Sequence, residues 1–395
     1  TAVSGEGYFV NTTGGAVTVT LPASPSVGNI VAVADYAGTA SSNNITVGRN
    51  GSNFEGGTAD GGIATNRQTG TFVYADATQG WVAVNSNDAS FLLPSYVTAT
   101  GGTITTSGDY KIHTFTGPGT FCVSNAGNPI GSDTVDYLVV AGGGSGGGRY
   151  GGGGGGGGYR ESPGTASGSY SVSPLGAAPA VALPVPATSY PITVGAGGAQ
   201  TATDSTPSPT GNQPGNKGNN SVFSTITSTA GGAGASQGNE GPGPAYDGGS
   251  GGGAGHTGPA GVGNTPPVNP SQGTSGGTGV AASDYMAGGG GGATVAGTNA
   301  PPSGGGAGGD GATSSINGTP TTRAGGGGGG GSTYNSPGAG GAAGSGGAAA
   351  GGSSGGSRAC AGTANTGGGG GGGFGAPGMG GAGGSGIVII RYKFQ

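Results

Sequence analysis

Charge is what this chain lacks most. Only 6% of its 395 residues are Asp, Glu, Lys or Arg, against about 25% in an ordinary globular protein. The 10 basic residues form no tract and the net charge is −5. Phosphate backbones are bound by clustered Lys and Arg, so a nucleic-acid partner is not expected. Histidine occurs twice, at His113 and His256, and cysteine twice, at Cys122 and Cys360. No HExxH, CxxC or paired-histidine spacing exists, so neither a zinc site nor any other cofactor is expected. Two cysteines are too few for a disulfide scaffold; a single bridge and two separate thiols both remain open. No run of about 20 apolar residues is present, which argues against membrane insertion. No stretch reads as an amphipathic helix. The carboxylates are scattered, and no catalytic constellation emerges; the expectation is a protein that is not an enzyme.

Glycine is what fills the chain, with 108 of 395 residues. Collagen is excluded, because its triple helix needs glycine at every third position. Here glycine comes in blocks: Gly151–Gly158, Gly288–Gly292, Gly325–Gly331 and Gly367–Gly373. Such blocks suit a polyproline-II-like helix, with three residues per turn and a rise of about 3.1 Å per residue. Its N–H and C=O groups point outward, and without side chains neighbouring helices can bond laterally. Ordering each glycine costs about 0.5–1 kcal/mol more than ordering alanine. A lateral hydrogen bond contributes about 1 kcal/mol net. The runs should therefore be fully bundled or not folded at all. Matches to GxGxxG are inevitable at this glycine content, and none opens a helix in a βαβ unit, so they carry no phosphate-binding information.

Apolar strands bracket the glycine. Tyr137 to Val140 feeds into the first long run. Tyr190 to Val194 and Ser221 to Thr229 lead into later ones, and Ile387 to Phe394 closes the chain. These β-branched runs need partners to bury against, which weighs against a disordered chain. The predicted fold is mainly β in three parts. Residues 1–90 form an N-terminal β-sandwich-like domain, with strands at Ala16–Leu21, Asn29–Ala34, Asn44–Val47, Thr71–Tyr74 and Gly80–Val84 and with Trp81 in its core. Residues 91–136 form a connecting segment. There Tyr110–Thr116 and Thr120–Ser124 read as a hairpin around Gly117–Pro118–Gly119. Residues 137–395 form a bundle of polyglycine-II helices whose side-chain-rich islands are end loops. His113 reads as a partly buried strand residue, and Tyr150 and Tyr159 as bundle caps.

Several segments resemble a known family. Thr106–Ser124 (TSGDYKIHTFTGPGTFCVS), Asp136–Gly148 (DYLVVAGGGSGGG) and Gly383–Phe394 (GGSGIVIIRYKF) look like the glycine-rich domains of tailed-phage fibres and adhesins of aquatic type. Gly14–Pro22, Val33–Gly38, Asn44–Asn53 and Val73–Trp81 look similar to a β domain of marine-phage structural proteins. The resemblance implies a virion-surface or extracellular fibre protein. Its polyglycine-II domain would display loops to a host cell-surface receptor, protein or glycan. No catalytic residue and no receptor identity carries over.

On this basis the candidate receptor-contact residues are Tyr246, Asp247, Asp284, Tyr285, Met286, Arg323 and Tyr334, since tyrosine and arginine suit recognition. A second reading stays open. The chain could be the self-assembling subunit of an extracellular or virion-associated filament. In either reading other fibre subunits are expected partners, with homo-oligomer contacts through the N-terminal β domain.

Overall fold

The computed structural model describes the chain except residues 86–92, 167–169, 177–180, 202–212, 237–245, 257, 281–284, 333–337, 354–358 and 376–377. The fold is mainly β. Among the described residues the single helical element is a 3-10 turn at Pro174–Gly176.

Seven strands build the N-terminal unit: β1 (Gly7–Val10), β2 (Val17–Thr20), β3 (Ile30–Asp35), β4 (Ile45–Gly48), β5 (Gly61–Ile63), β6 (Thr69–Asp76) and β7 (Gly80–Ala83). They form a four-stranded sheet, β1-β3-β6-β7, and a three-stranded sheet, β2-β4-β5. Alternation decides what each strand buries. Val31 and Val33 of β3 point inward, as do Ile45 and Val47 of β4. Both sheets feed one core with Phe54, Ile63, Phe72 and Trp81. Trp81 is fully buried and meets the Tyr74 ring edge-on, with centroids 5.7 Å apart. β1 and β5 are the strands that periodicity alone does not reveal. β5 is mostly glycine, and β1 lies on an edge with Phe9 facing solvent.

The connecting segment does not form the expected hairpin. β10 (Tyr110–Phe115) pairs with β9 (Thr103–Ser107) and with β20 (Ile387–Lys393). β11 (Gly119–Asn125) pairs instead with β8 (Thr98–Thr100) and β15 (Ser189–Thr193). The glycine–proline turn between β10 and β11 carries the chain from one sheet to another. The first sheet has the order β13 (Tyr159–Glu161), β12 (Thr134–Val140), β20, β10, β9, with β14 (Leu183–Pro184) off β12; the second has the order β17 (Ile226–Ser228), β16 (Ser221–Phe223), β15, β11, β8. The reason is burial. Phe115 and Phe121 both enter a shared core with Tyr137, Val139, Ile192, Phe223, Val388, Ile390 and Tyr392. A two-stranded hairpin could not cover rings on this scale.

The centre of this region is the antiparallel pair β12 (Thr134–Val140) and β20, with Leu138 opposite Ile389 and Val140 opposite Ile387. Both strands are buried on both faces at this point, so each reads as an unbroken apolar run. The chain enters the glycine region from β12 and leaves it into β20. β16 (Ser221–Phe223) and β17 (Ile226–Ser228) split what reads in sequence as one strand. The break falls at Ser224, whose φ is +52°. β13 (Tyr159–Glu161) and the pair β18 (Ala312–Ser314) and β19 (Thr321–Arg323) rise from the glycine region without an apolar signature.

Extended glycine segments fill the rest. Their backbone groups bond sideways, to other segments, at every third residue. Gly152, Gly155 and Gly158 donate to Ala235, Gly232 and Thr229. Gly153 and Gly156 donate to Gly288 and Gly291. Gly151, Gly154 and Gly157 donate to Gly373, Gly370 and Gly367. The carbonyls of the same run accept from Gly144 and Gly147, from Ser250 and Gly253, and from Gly327 and Gly330. Residues 151–158 thus sit at the middle of a ring of other segments, some parallel and some antiparallel. Glycine is required by this spacing: a Cβ on Gly154 would lie 2.1 Å from the carbonyl oxygen of Gly144, and one on Gly156 2.4 Å from that of Ala324.

Candidate functional site

The lateral bonds give each segment a direction, and hence the array two ends. One end meets the strands: Ala141 donates to Gly158, Gly386 to Gly195, and Ala293 to Ala324. At the other end Arg149 donates to Gly378, Gly151 to Gly373, and Val280 to Met286. Turns at this remote end carry Arg149–Tyr150, His256 and Tyr285.

Those turns bring three rings together. Tyr285 is the common member. Its centroid lies 4.4 Å from His256 and 5.3 Å from Tyr150, with ring planes tilted by 33° and 31°. All three residues are half-buried. Arg149, Tyr150 and Tyr285 have φ values of +40°, +50° and +49°. Left-handed backbone is uncommon for side chains of this size. The turns accept it here because the chain must reverse within the tight spacing between neighbouring segments.

The candidate contact residues scatter. Tyr285 stands at the remote end. Met286, beside it, is fully buried, and its thioether methyl occupies the space that a Cβ on Gly338 would need. Tyr246 is 3% exposed and packs with Ala233 and Ala235 along the array. Asp247 is half-buried and accepts the Val262 N–H at 2.7 Å. Arg323 lies in β19 at the strand end, 4% exposed. Burial lowers its pKa, opposed by the nearby Tyr159 and Glu161. The side chains of Met286, Tyr246 and Arg323 therefore face inward rather than into solvent, because alanines, glycines and strand neighbours close over them. Asp284 and Tyr334 lie outside the described residues. Tyr150 and Tyr159 stand at opposite ends of the 151–158 run, Tyr150 at the remote end and Tyr159 buried in β13 at the strand end. His256 was not among the candidates; its place in an island between glycines was the available signal.

A second polar cluster sits under β13, β18 and β19. Glu161 is 2% exposed. It accepts from the Ser173 N–H at 3.0 Å, the Tyr159 hydroxyl at 3.2 Å and the Ser314 hydroxyl. Burial raises its pKa and these donors oppose the rise. Asp136 and Arg391 face each other across β12 and β20, and the Arg391 guanidinium covers the Tyr110 ring at 4.5 Å. The cluster is closed to solvent and serves packing. His113 is buried rather than partly exposed, held by Gly101 and Tyr392. Cys122 and Cys360 are free thiols. Among the described residues no group of three or more His, Cys, Asp or Glu could hold a metal ion. No described helix is long and apolar enough to cross a membrane.

Fold and site together define a mainly β protein built on laterally bonded glycine segments. The chain belongs to the glycine-rich domain family, whose model matches residues 116–393. The match begins just after β10 and ends with β20, so it takes in the array and the strands from β11 to β20 but leaves out β8, β9 and β10. No curated protein matches this chain.

Proposed function

We propose that this protein is a non-enzymatic fibre or adhesin, carried on a virion surface or otherwise extracellular, that presents the remote end of its glycine array to a receptor on a host cell. In this reading the glycine segments are polyglycine-II rods, and the N-terminal unit is a small β-sandwich that joins the protein to other subunits. The observation that carries it is the three-residue period of the lateral bonds around residues 151–158. A threefold helix has that period. It turns side-chain-free chain into a rigid support, and it leaves side chains to gather where the rods reverse. The strand end is closed by two sheets and their core, so the remote end is the one available for contact. The resemblance to phage fibres adds the expected setting. The reading involves no cofactor, no nucleic acid and no membrane insertion.

The test is adsorption. Fluorescently labelled protein is mixed with a panel of aquatic bacteria, and cell-bound label is measured against an excess of unlabelled protein. Saturable, competed binding to some strains is expected; its absence on every strain overturns the reading.

A filament subunit is the second reading. It is favoured by the outer face of the four-stranded sheet, where Phe9 is 81% exposed, Val84 59% and Ile30 41%. Among the described residues β1 is an edge strand of that sheet, and an edge is where another strand can add. Regular filaments of purified protein in electron micrographs, without adsorption, would establish this alternative.

A further inference from the structure

The outer face of the four-stranded sheet in the N-terminal unit points to a partner. We propose that this face packs against the same face of a second copy of the chain, about a twofold axis, and closes the protein into a dimer. The inference rests on the reading of the N-terminal unit as the part that joins subunits, and it names the surface and the stoichiometry.

Three observations lead there. First, exposed apolar side chains gather on this face. Along β3 the residues alternate. Val31, Val33 and Asp35 are buried, Ile30 is exposed, and Tyr36, the next outward position, is 60% exposed. Phe9 lies opposite Ala34, on the same side as Ile30. Val84 joins them beyond β7, where its N–H donates to the Thr71 carbonyl. Single exposed apolar residues need no explanation, but a contiguous patch marks a contact site.

Second, the face matches itself in shape and charge. The large side chains stand around a low floor of Ala32 and Ala34, with Thr71 and Thr69 opposite them. Ridge and hollow thus share one surface. When two such faces meet about a twofold axis, Phe9 of each chain seats on the alanine floor of the other, at the spacing of about 10 Å usual for stacked sheets. The nearby acids turn away: Glu6 accepts from the Tyr8 hydroxyl on the inner side, and Asp76 accepts from the Thr78 and Gln79 amides. Arg67 stands at the rim, where it donates to the Tyr36 carbonyl. One self-matching patch gives a closed pair, whereas a ring or a filament needs two different patches.

Third, the face is open and large enough. Among the described residues Pro129 and Ile130 meet this unit at Asn44 and Gly62, on the side of the other sheet. A whole aromatic side chain offers about 150–250 Å², so the four large side chains and the floor expose on the order of 600 Å² per chain. A pair then buries roughly 1,200 Å², the lower end for a specific interface, which corresponds to a dissociation constant of about micromolar order. An anionic lipid surface is a poorer occupant, because residues 1–85 hold five Asp and Glu against two Arg.

The experiment is sedimentation equilibrium of the full chain from about 0.1 to 100 μM, with adsorption to cells measured on the same samples. Wild type should pass from monomer to dimer. The variants are Phe9→Asp and Tyr36→Ser, with Val262→Ser, exposed in the glycine region, as the control. Each variant's Trp81 fluorescence checks that the unit is folded. Phe9→Asp and Tyr36→Ser should each raise the dissociation constant about tenfold or more, and Val262→Ser should leave it unchanged. Should Phe9→Asp disturb β1, Tyr36→Ser, which lies outside the strands, still decides. A monomer at every concentration overturns the pairing, and so does a dimer that neither variant weakens. A trimer, or growth without limit, overturns the twofold closure. A monomer that adsorbs to cells leaves the adhesin reading standing, whereas a dimer that adsorbs to none fails that reading and keeps the pairing.

Discussion

His113 on β10 and Tyr392 on β20 share a hydrogen bond of 3.0 Å, although 279 residues separate them. The imidazole Nδ1 lies 2.8 Å from the Gly101 carbonyl, to which it donates. Nε2 is then left to accept the Tyr392 hydroxyl. This arrangement needs a neutral ring. Burial lowers the His113 pKa, the Gly101 carbonyl opposes that, and Lys111 adds to it. Burial also pushes the Tyr392 phenol up to about 12. The bond ties β10 to β20, its neighbour in the first sheet.

A pH dependence follows from the sign of that shift. In the unfolded chain the imidazole titrates near pH ~6.5; in the folded protein it binds its proton only at lower pH. Below about 6.5 the unfolded state holds more protons, so stability falls with acidification until the folded pKa is passed. Glu161 works in the opposite sense. Its raised pKa gives stability that is present in acid and is lost as pH rises from about 4.3 through the folded value. The two are separated by comparing wild type with His113→Gln in urea unfolding across this range. The wild type should lose more stability than the variant between about pH 7 and pH 5. Equal slopes would remove His113 as the cause.

The buried carboxyl of Glu161 should be costly to strip of a donor. The Ser314 hydroxyl donates to it in a closed site, and Ser314→Ala should destabilise by about 1–3 kcal/mol. The double variant with Glu161→Ala should lose clearly less than the sum of the two single changes. Urea unfolding of the four proteins checks this. Additive losses would mean that the two groups do not interact.

Glycine positions should divide sharply. A Cβ on Gly154 meets the Gly144 carbonyl oxygen at 2.1 Å, while one on Gly14 has nothing within 4 Å. Gly154→Ala must push neighbouring backbone apart, at a cost of about 3 kcal/mol or more. Gly14→Ala should stay within about ±0.5 kcal/mol. Thermal unfolding of the two variants gives the comparison.

Trp81 is the sole tryptophan and lies in the core of the N-terminal unit, so its fluorescence follows that unit alone. The described links to the rest include the Asn44 side chain, which donates to the Pro129 carbonyl at 2.9 Å, Ile130, which packs over Gly62, and Leu93, which packs against the core of the unit. Phe72→Ala should lower the stability seen by Trp81 by about 3–5 kcal/mol, while hydrogen exchange in the β12–β20 pair stays as in wild type. A loss shared by both would show that the units unfold together.

Much of this fold was legible in the sequence. The strands from β2 to β7 that carry β-branched residues, and the β12 and β20 runs that bracket the glycine, declare themselves by pattern. The partner of a strand does not. β10 and β11 look like a hairpin because they are adjacent around a glycine–proline turn, but Phe115 and Phe121 bury more by entering two facing sheets. β5 and β18 are too short and too poor in apolar residues to register at all.

The candidate site was less legible. Glycine blocks have no periodic faces, so nothing in them says which island side chains turn inward. Met286 and Tyr285 are neighbours, yet one is fully buried and the other half-buried. Which islands share an end depends on the direction of every segment, and that is set by lateral bonds between residues far apart in sequence.

Hydrogen exchange of the backbone amides of Gly151–Gly158 tests the central claim most directly, since an ordered scaffold depends on their lateral bonds. If the bonds Gly154 to Gly370 and Gly155 to Gly232 hold the run in place, these amides should exchange as slowly as those of Ile387–Ile390 in β20. Exchange at the rate of an unstructured peptide would contradict the account.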